Sequence, residues 1–230
     1  MTKIKTLAIL YVLAMLCECY AGAQAVQGEE PILLTKIHSF DLLNQTMVDG
    51  LVNISERLPR SHFGVEQVLR ERYNGPALKA HKFSLHEDDK TLSQLLDNLC
   101  QKDPGYMWSL NGPTINVYPR NVADSPSYFL NRRLERVDFN DLRSADEILF
   151  SVIHRLIPDE QVAFCQVGGN DNYDVPWTAS FSNITVRELL NEAAAHLGAH
   201  SYWVLSGSKD FRCFAFAKGT LHEAKAPDPK

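Results

Sequence analysis

Two stretches decide how this chain is read. One runs Thr185-Val186-Arg187-Glu188-Leu189-Leu190-Asn191-Glu192-Ala193, with Phe181-Ser182 just ahead of it. The other runs Thr91-Leu92-Ser93-Gln94-Leu95-Leu96-Asp97-Asn98-Leu99, with Phe83-Ser84 ahead of it. In each, a threonine is followed three residues later by Glu188 or Gln94, which is the spacing of a capping box. The hydroxyl accepts from the amide three residues on, and the longer side chain reaches back to the cap amide. Behind each cap a Leu-Leu pair falls on the inner face of a helix. An aromatic strand then follows, Tyr106-Met107-Trp108-Ser109-Leu110 in one case and Tyr202-Trp203-Val204-Leu205 in the other. A turn (Asn111-Gly112-Pro113; Ser206-Gly207-Ser208) leads to a second strand, Thr114–Tyr118 or Phe211–Phe216. Thr91 to Trp108 spans 17 positions and Thr185 to Trp203 spans 18, so the two stretches read as an internal duplication.

Working outward, the regions ahead of the two helices also match in kind. In the second half, Leu134–Phe139 reads as a strand and Ser144-x-x-Glu147 as a capping box. The helix it opens has apolar residues at 145, 148, 149, 152, 153 and 156, ending at Pro158. Val162–Val167 and Trp177–Phe181 follow as strands. In the first half, Ile32–Phe40 is a strand and Met47–Leu58 a weaker helix, since internal Gly50 costs about 1 kcal/mol. Phe63–Leu69 and Leu78–Leu85 complete it. The expected fold class is therefore α+β: two tandem β-α-β-β-α-β-β modules over 32–119 and 132–217, each with two helices packed on small sheets. A linker over 120–131 separates them, and a disordered tail over 218–230 follows.

The N-terminus predicts the compartment. Lys3 and Lys5 precede an apolar run, Leu7–Leu16, and small residues follow at 21–25, the layout of a secretory signal peptide over 1–25. Two A-x-A sites place the cut after Ala23 or Ala25, giving a periplasmic or secreted protein. The apolar run is shorter than the roughly 20 residues a membrane span needs, and no later stretch approaches that length. No transmembrane segment is expected in the mature chain. Met15-Leu16 before Cys17 does not fit a lipidation site.

Composition excludes several classes. The 230 residues are 45% hydrophobic and 22% charged, too apolar for intrinsic disorder and too poor in cysteine for a disulfide miniprotein. Removing Lys3, Lys5 and Glu18 with the leader leaves 21 basic against 27 acidic residues, a net charge of −6. An acidic chain of this kind does not suit nucleic acid as a partner. Cys100, Cys165 and Cys213 remain, permitting at most one internal disulfide. A Cys165–Cys213 bridge and buried free thiols both stay open.

No catalytic motif stands out, and the expectation is that the protein is not an enzyme and carries no cofactor or metal. His196 and His200 have the i, i+4 spacing of a helical metal pair, but Gly198 between them ends the helix. Asn170–Asp174 offers oxygen ligands in a loop that lacks the glutamate of a calcium-binding loop. Nothing beside Cys165 suggests an activated thiolate. Asn44, Asn53 and Asn183 begin N-x-S/T triplets that look incidental. The aromatics of the two hairpins, Tyr106, Trp108, Tyr202, Trp203, Phe214 and Phe216, are the candidate interaction surface. The competing reading makes them core, packed on the helices.

The order strand, helix, two strands, capped helix, hairpin resembles the short N-terminal (STN) domain of secretins and TonB-dependent outer-membrane transducers. The second half carries the resemblance best, in Phe181-Ser182-Asn183-Ile184-Thr185-Val186-Arg187-Glu188-Leu189-Leu190, then His196-Leu197-Gly198 and Tyr202-Trp203-Val204. The first half shares it through residues 83–118. The resemblance implies a periplasmic, non-catalytic protein-contact module and supplies no catalytic residues. In the family a barrel or a secretin ring follows; here none does, which favours a binding or scaffolding role over receptor signalling. The expected function is thus an exported cell-envelope interaction or scaffolding protein, its partner another envelope protein or a copy of itself. The alternative is a small exported hydrolase or ligand-binding protein with a site between the modules.

If the leader is cleaved as read, N-terminal sequencing of the protein recovered from the envelope fraction should begin at Gln24 or Val26. Recovery of the chain with Met1–Ala21 attached would overturn the assignment.

Overall fold

The structure, a computed structural model, describes residues 32–58, 60–69, 71, 79–148, 150–151, 161–164, 172–209, 211–219 and 221. The expected leader, Cys165, residues 149 and 152–158 of the expected helix and residues 220 and 222–230 of the expected tail lie outside the described residues. The chain divides into two compact units, Met1–Thr35 and Lys36–Lys230. The described part of the first is a 3-10 turn, Ile32–Leu34.

In the second unit the described elements follow one order twice. The first pass is β1 (Lys36–Gln45), α1 (Met47–Arg57), β2 (His62–Glu66), β3 (Phe83–Thr91), α2 (Leu92–Lys102), β4 (Tyr106–Asn111) and β5 (Thr114–Pro119). The second is β6 (Arg133–Ser144), α3 (Ala145–Ile148), β7 (Gln161–Phe164), β8 (Asn172–Thr185), α4 (Val186–Leu197), β9 (Ser201–Gly207) and β10 (Phe211–Lys218). The class is α+β, as expected. No helix among the described residues is long and apolar enough to cross a membrane.

The helices begin where their caps say they should. Thr185 Oγ1 accepts from the Glu188 amide at 3.1 Å, and Glu188 Oε2 accepts from the Thr185 amide at 2.7 Å. Thr91 and Gln94 repeat the exchange at 3.4 and 3.1 Å. Thr46 and Asp49 form a third box at the start of α1, which a T-x-x-D pattern signals in the sequence. Ser144 does not cap as expected: Glu147 instead accepts from the Arg143 amide at 2.8 Å. Gly50 inside α1 has a packing reason, because a Cβ there would lie 3.1 Å from both Leu42 and Leu99.

Strand pairings recur with the elements. β1 pairs antiparallel with β3 starting at Lys36–Thr91, and β6 with β8 starting at Arg133–Thr185, as two separate ribbons. Asn44 and Asp141, each eight residues beyond the first of those pairs, share a left-handed φ of 54° and 57°. Asp89 and Asn183, each two residues before the cap, share 51° and 53°. Asn and Asp tolerate this conformation better than other side chains. Two glycosylation triplets of the sequence are therefore headed by backbone-shaping asparagines. The ribbons also extend beyond the strands expected from apolar alternation, because β3 and β8 carry exposed polar residues held by the ladder rather than by burial.

The expectation of separate small sheets gives way at the centre of the molecule. The hairpins β4–β5 and β9–β10 each take a parallel third strand, β2 beside β5 and β7 beside β10. These two sets merge into one six-stranded sheet of order β4-β5-β2-β9-β10-β7. The seam is a parallel pairing of β2 with β9, in which Phe63 faces Tyr202, Gly64 faces Trp203, Val65 faces Val204 and Glu66 faces Leu205. A Cβ on Gly64 would lie 2.6 Å from the Trp203 ring and from the Asn116 amide oxygen, so only glycine lets β2 come this close. Register also separates the faces. Trp108 faces Val117, which faces Val65, which faces Val204, the neighbour of Trp203. Trp108 and Trp203 thus lie on opposite faces, with α2 against one and α4 against the other.

A buried polar cluster bridges the halves beside the seam. Arg187 of α4 donates to Glu66 of β2 at 2.7 Å, Tyr128 donates to the second oxygen of Glu66 at 2.9 Å, and Arg187 also donates to Asn131. The guanidinium covers the Tyr118 ring, its carbon 4.6 Å from the centroid. Burial pushes the Glu66 carboxyl upward, against the pull of Arg187 and Tyr128. Removing one partner of such a pair costs about 3–5 kcal/mol, because the other is left buried and unpaired.

The expected linker, and the described residues at the start of the expected tail, are parts of the fold. Phe129 and Leu130 are buried, and Asn131 donates to the carbonyls of Val122, Ala123 and Ser125. Residues 120–131 therefore form a packed connection with two 3-10 turns, Arg120–Val122 and Phe129–Asn131. Beyond β10, Leu221 is buried and its amide donates to Ser55 Oγ at 3.1 Å.

Gly64→Ala should lower stability by about 1–3 kcal/mol, the usual cost of overpacking. A lower urea midpoint at unchanged slope checks this; an unchanged midpoint would mean that β2 does not pack against Trp203 as described.

Candidate functional site

Of the six candidate aromatics, five are core. Tyr202, Trp203, Phe214 and Phe216 are at most 5% exposed, and Tyr106 is buried with its hydroxyl accepting from the Val68 amide at 3.2 Å. They cannot offer a surface, since β2 and α4 cover one hairpin and Tyr106 is buried. Trp108 alone is half-buried.

The difference between the two tryptophans does not come from their own helices. Asp97 and Asn191 each stand six residues after their capping threonines, and each accepts an indole N–H at 2.8 Å, from Trp108 and Trp203 respectively. Each tryptophan lies on the first strand of its hairpin, facing Val117 or Phe216 of the second. What differs is the next strand. β9 has β2 on its outer side, and Tyr202, Trp203, Val204 and Leu205 are at most 1% exposed. β4 is the last strand of the sheet among the described residues. Its Met107, Trp108 and Ser109 are half-buried and Leu110 is 42% exposed.

A groove of about 430 Å³ lies between α2 and β4. Asp97, Cys100 and Gln101 line it from the helix, and Pro104, Met107, Trp108 and Arg120 from the other side. Arg120 is fixed there by donating to the carbonyls of Pro104 and Tyr106, both at 3.2 Å. The one acid and one base give the groove no dominant charge. Cys100 is a free thiol, pushed up to about 11 chiefly by burial, so it stays protonated and acts as a small apolar wall. The arrangement can hold an extended segment along β4, with main-chain groups of the strand and the indole face as its contacts.

The remaining candidates of the sequence do not converge. His196 stacks on Trp177 at 4.9 Å between centroids and donates to the Val175 carbonyl at 3.3 Å. His200 donates instead to the Ser55 carbonyl at 3.1 Å, so the two histidines are committed to different partners. Among the described residues no group of three or more His, Cys, Asp or Glu side chains is placed to hold a metal ion. Asp174, from the expected ligand loop, lies in β8 and pairs with Lys218 at 3.0 Å. Cys213 is disulfide-bonded to a cysteine outside the described residues.

Comparison with protein-family models, with curated proteins and with solved structures finds no match to this chain.

Trp203→Ala should cost about 3–5 kcal/mol, as for a fully buried aromatic. Trp108→Ala should cost about 1 kcal/mol or less, as at a partly exposed site. Urea unfolding of the two variants reads the contrast, and equal losses would remove Trp108 from the surface.

Proposed function

We propose that this chain is an exported, non-catalytic interaction or scaffolding protein of the cell envelope, acting in the periplasm through modules resembling the STN domain. The observation that carries this reading is the β4 edge, where Trp108 and Leu110 remain accessible while their counterparts on β9 are sealed by a neighbouring strand. An edge strand with unpaired main-chain groups is a template for another chain unless something covers it. The layout of residues 1–25 supports export, and the resemblance supports a protein partner over a small-molecule substrate. The joint between the halves, where a ligand site would be an alternative, is taken up by the Gly64–Trp203 contact and the Glu66–Arg187 pair.

Photo-crosslinking in intact cells tests the proposal, with a benzophenone residue placed in turn at the exposed positions Leu43, Leu110 and Val175. The expected outcome is a discrete adduct with an envelope protein from position 110. Adducts from 43 or 175 alone would keep an interaction function and move it off the β4 edge. No adduct from any of the three would overturn it.

A further inference from the structure

The β4 edge is the counterpart of the β9 edge, and the β9 edge is filled. The correspondence rests on independent observations: the Thr91 and Thr185 caps, the indole bonds to Asp97 and Asn191, and the pairing of each hairpin with its parallel third strand. On β9 the occupant is β2, running parallel, with Gly64 opposite Trp203 and the Gln67 amide donating to the Leu205 carbonyl at 2.9 Å. The joint therefore states its own rule: the residue facing the tryptophan has no side chain, because a Cβ would meet the ring at 2.6 Å.

The same comparison says what else the occupant needs. Glu66, two residues beyond Gly64, is matched by Arg187, the second residue after the Thr185 cap. The second residue after the Thr91 cap is Ser93, which offers no cation. An acid at the matching position beside β4 would lack the cation that meets Glu66 and would lose hydration as the strand is added, which is costly, so that position calls for an uncharged residue. A second copy of this chain does not satisfy the rule. Its β7 corresponds to β2, with Phe164 facing Phe214 where Phe63 faces Ile115, but the next residue in the sequence is Cys165 where glycine is required.

We propose that the β4 edge binds an extended segment of a different protein, added as a seventh strand parallel to β4, with a glycine opposite Trp108 and an uncharged residue two positions further on. In strand addition the main-chain ladder supplies affinity, and the side-chain positions supply specificity. The proposal deepens the interaction reading above and rests on it.

The probe is a synthetic peptide of residues 61–68 carrying Glu66→Ser, titrated into the isotope-labelled full chain and followed by amide and indole resonances. The expected result is saturable shifts at Met107–Leu110 and the Trp108 indole at up to about 1 mM peptide. The same peptide with Gly64→Leu should bind at least about tenfold more weakly, and so should the wild-type peptide that keeps Glu66. In the protein, Leu110→Pro, which removes an amide that points away from β5, should abolish the shifts while leaving other resonances in place. Absence of shifts, equal binding of the leucine peptide, or shifts centred elsewhere would overturn the proposal. Self-association in sedimentation that Leu110→Pro removes would assign the edge to a second copy and overturn it as well. A crosslink from position 110 without peptide binding would discard parallel strand addition and leave the interaction function standing.

Discussion

The closeness of β2 to β9 is the constraint on which the rest of the molecule depends. Two three-stranded sets become one sheet only if their edges meet, and at the meeting point an indole lies where a side chain would otherwise project. Gly64 removes the obstacle. Once the edges are paired, Trp203 is sealed, and its face of the sheet is continuous with the α4 core that includes Leu189, Leu190, Phe214 and Phe216. The opposite face receives α2. One missing methyl group thereby lets both halves share a common layer.

The polar cluster beside that seam adds specificity of a different kind. A glycine against the ring admits no neighbour of β2 in its place, and the buried carboxylate bonded to Arg187 and Tyr128 adds a polar lock on the same register. Moving β2 by one residue would turn Glu66 to the other face and strand the guanidinium. The packed connection over 120–131 contributes both Tyr128 and Asn131 to this cluster, which explains why a segment rich in turn residues is ordered by its contacts rather than free. The seam is thus fixed in approach by sterics and in register by sterics and charge together.

Repetition with one difference gives the functional reading its content. Both hairpins present a tryptophan tied by its N–H to the sixth residue beyond a threonine cap, yet one is core and the other borders a groove. The local pattern of cap, helix and hairpin is the same at the two places. Exposure is decided by whether a third strand arrives from the other half, and among the described residues one such strand serves two such edges. The six hairpin aromatics look equivalent in the sequence for this reason, and only one of them is accessible.

The capped helices, their Leu-Leu pairs and the hairpins were legible because each is built from contacts within about 20 residues, where spacing alone fixes geometry. The two ribbons were legible only in part. Their strands are long and polar, and left-handed Asn or Asp residues shape them without a hydrophobic pattern. The meeting of β2 with β9 joins residues whose side chains, such as His62 and Ser201, are 139 positions apart in sequence and 2.7 Å apart in space. A parallel edge pairing of that kind leaves no periodic trace in either strand. By itself the sequence determined two similar sets of helices and strands. Only the tertiary structure decided that they share a sheet, because a strand edge is satisfied by whichever main chain reaches it, and that choice is made by packing rather than by local pattern.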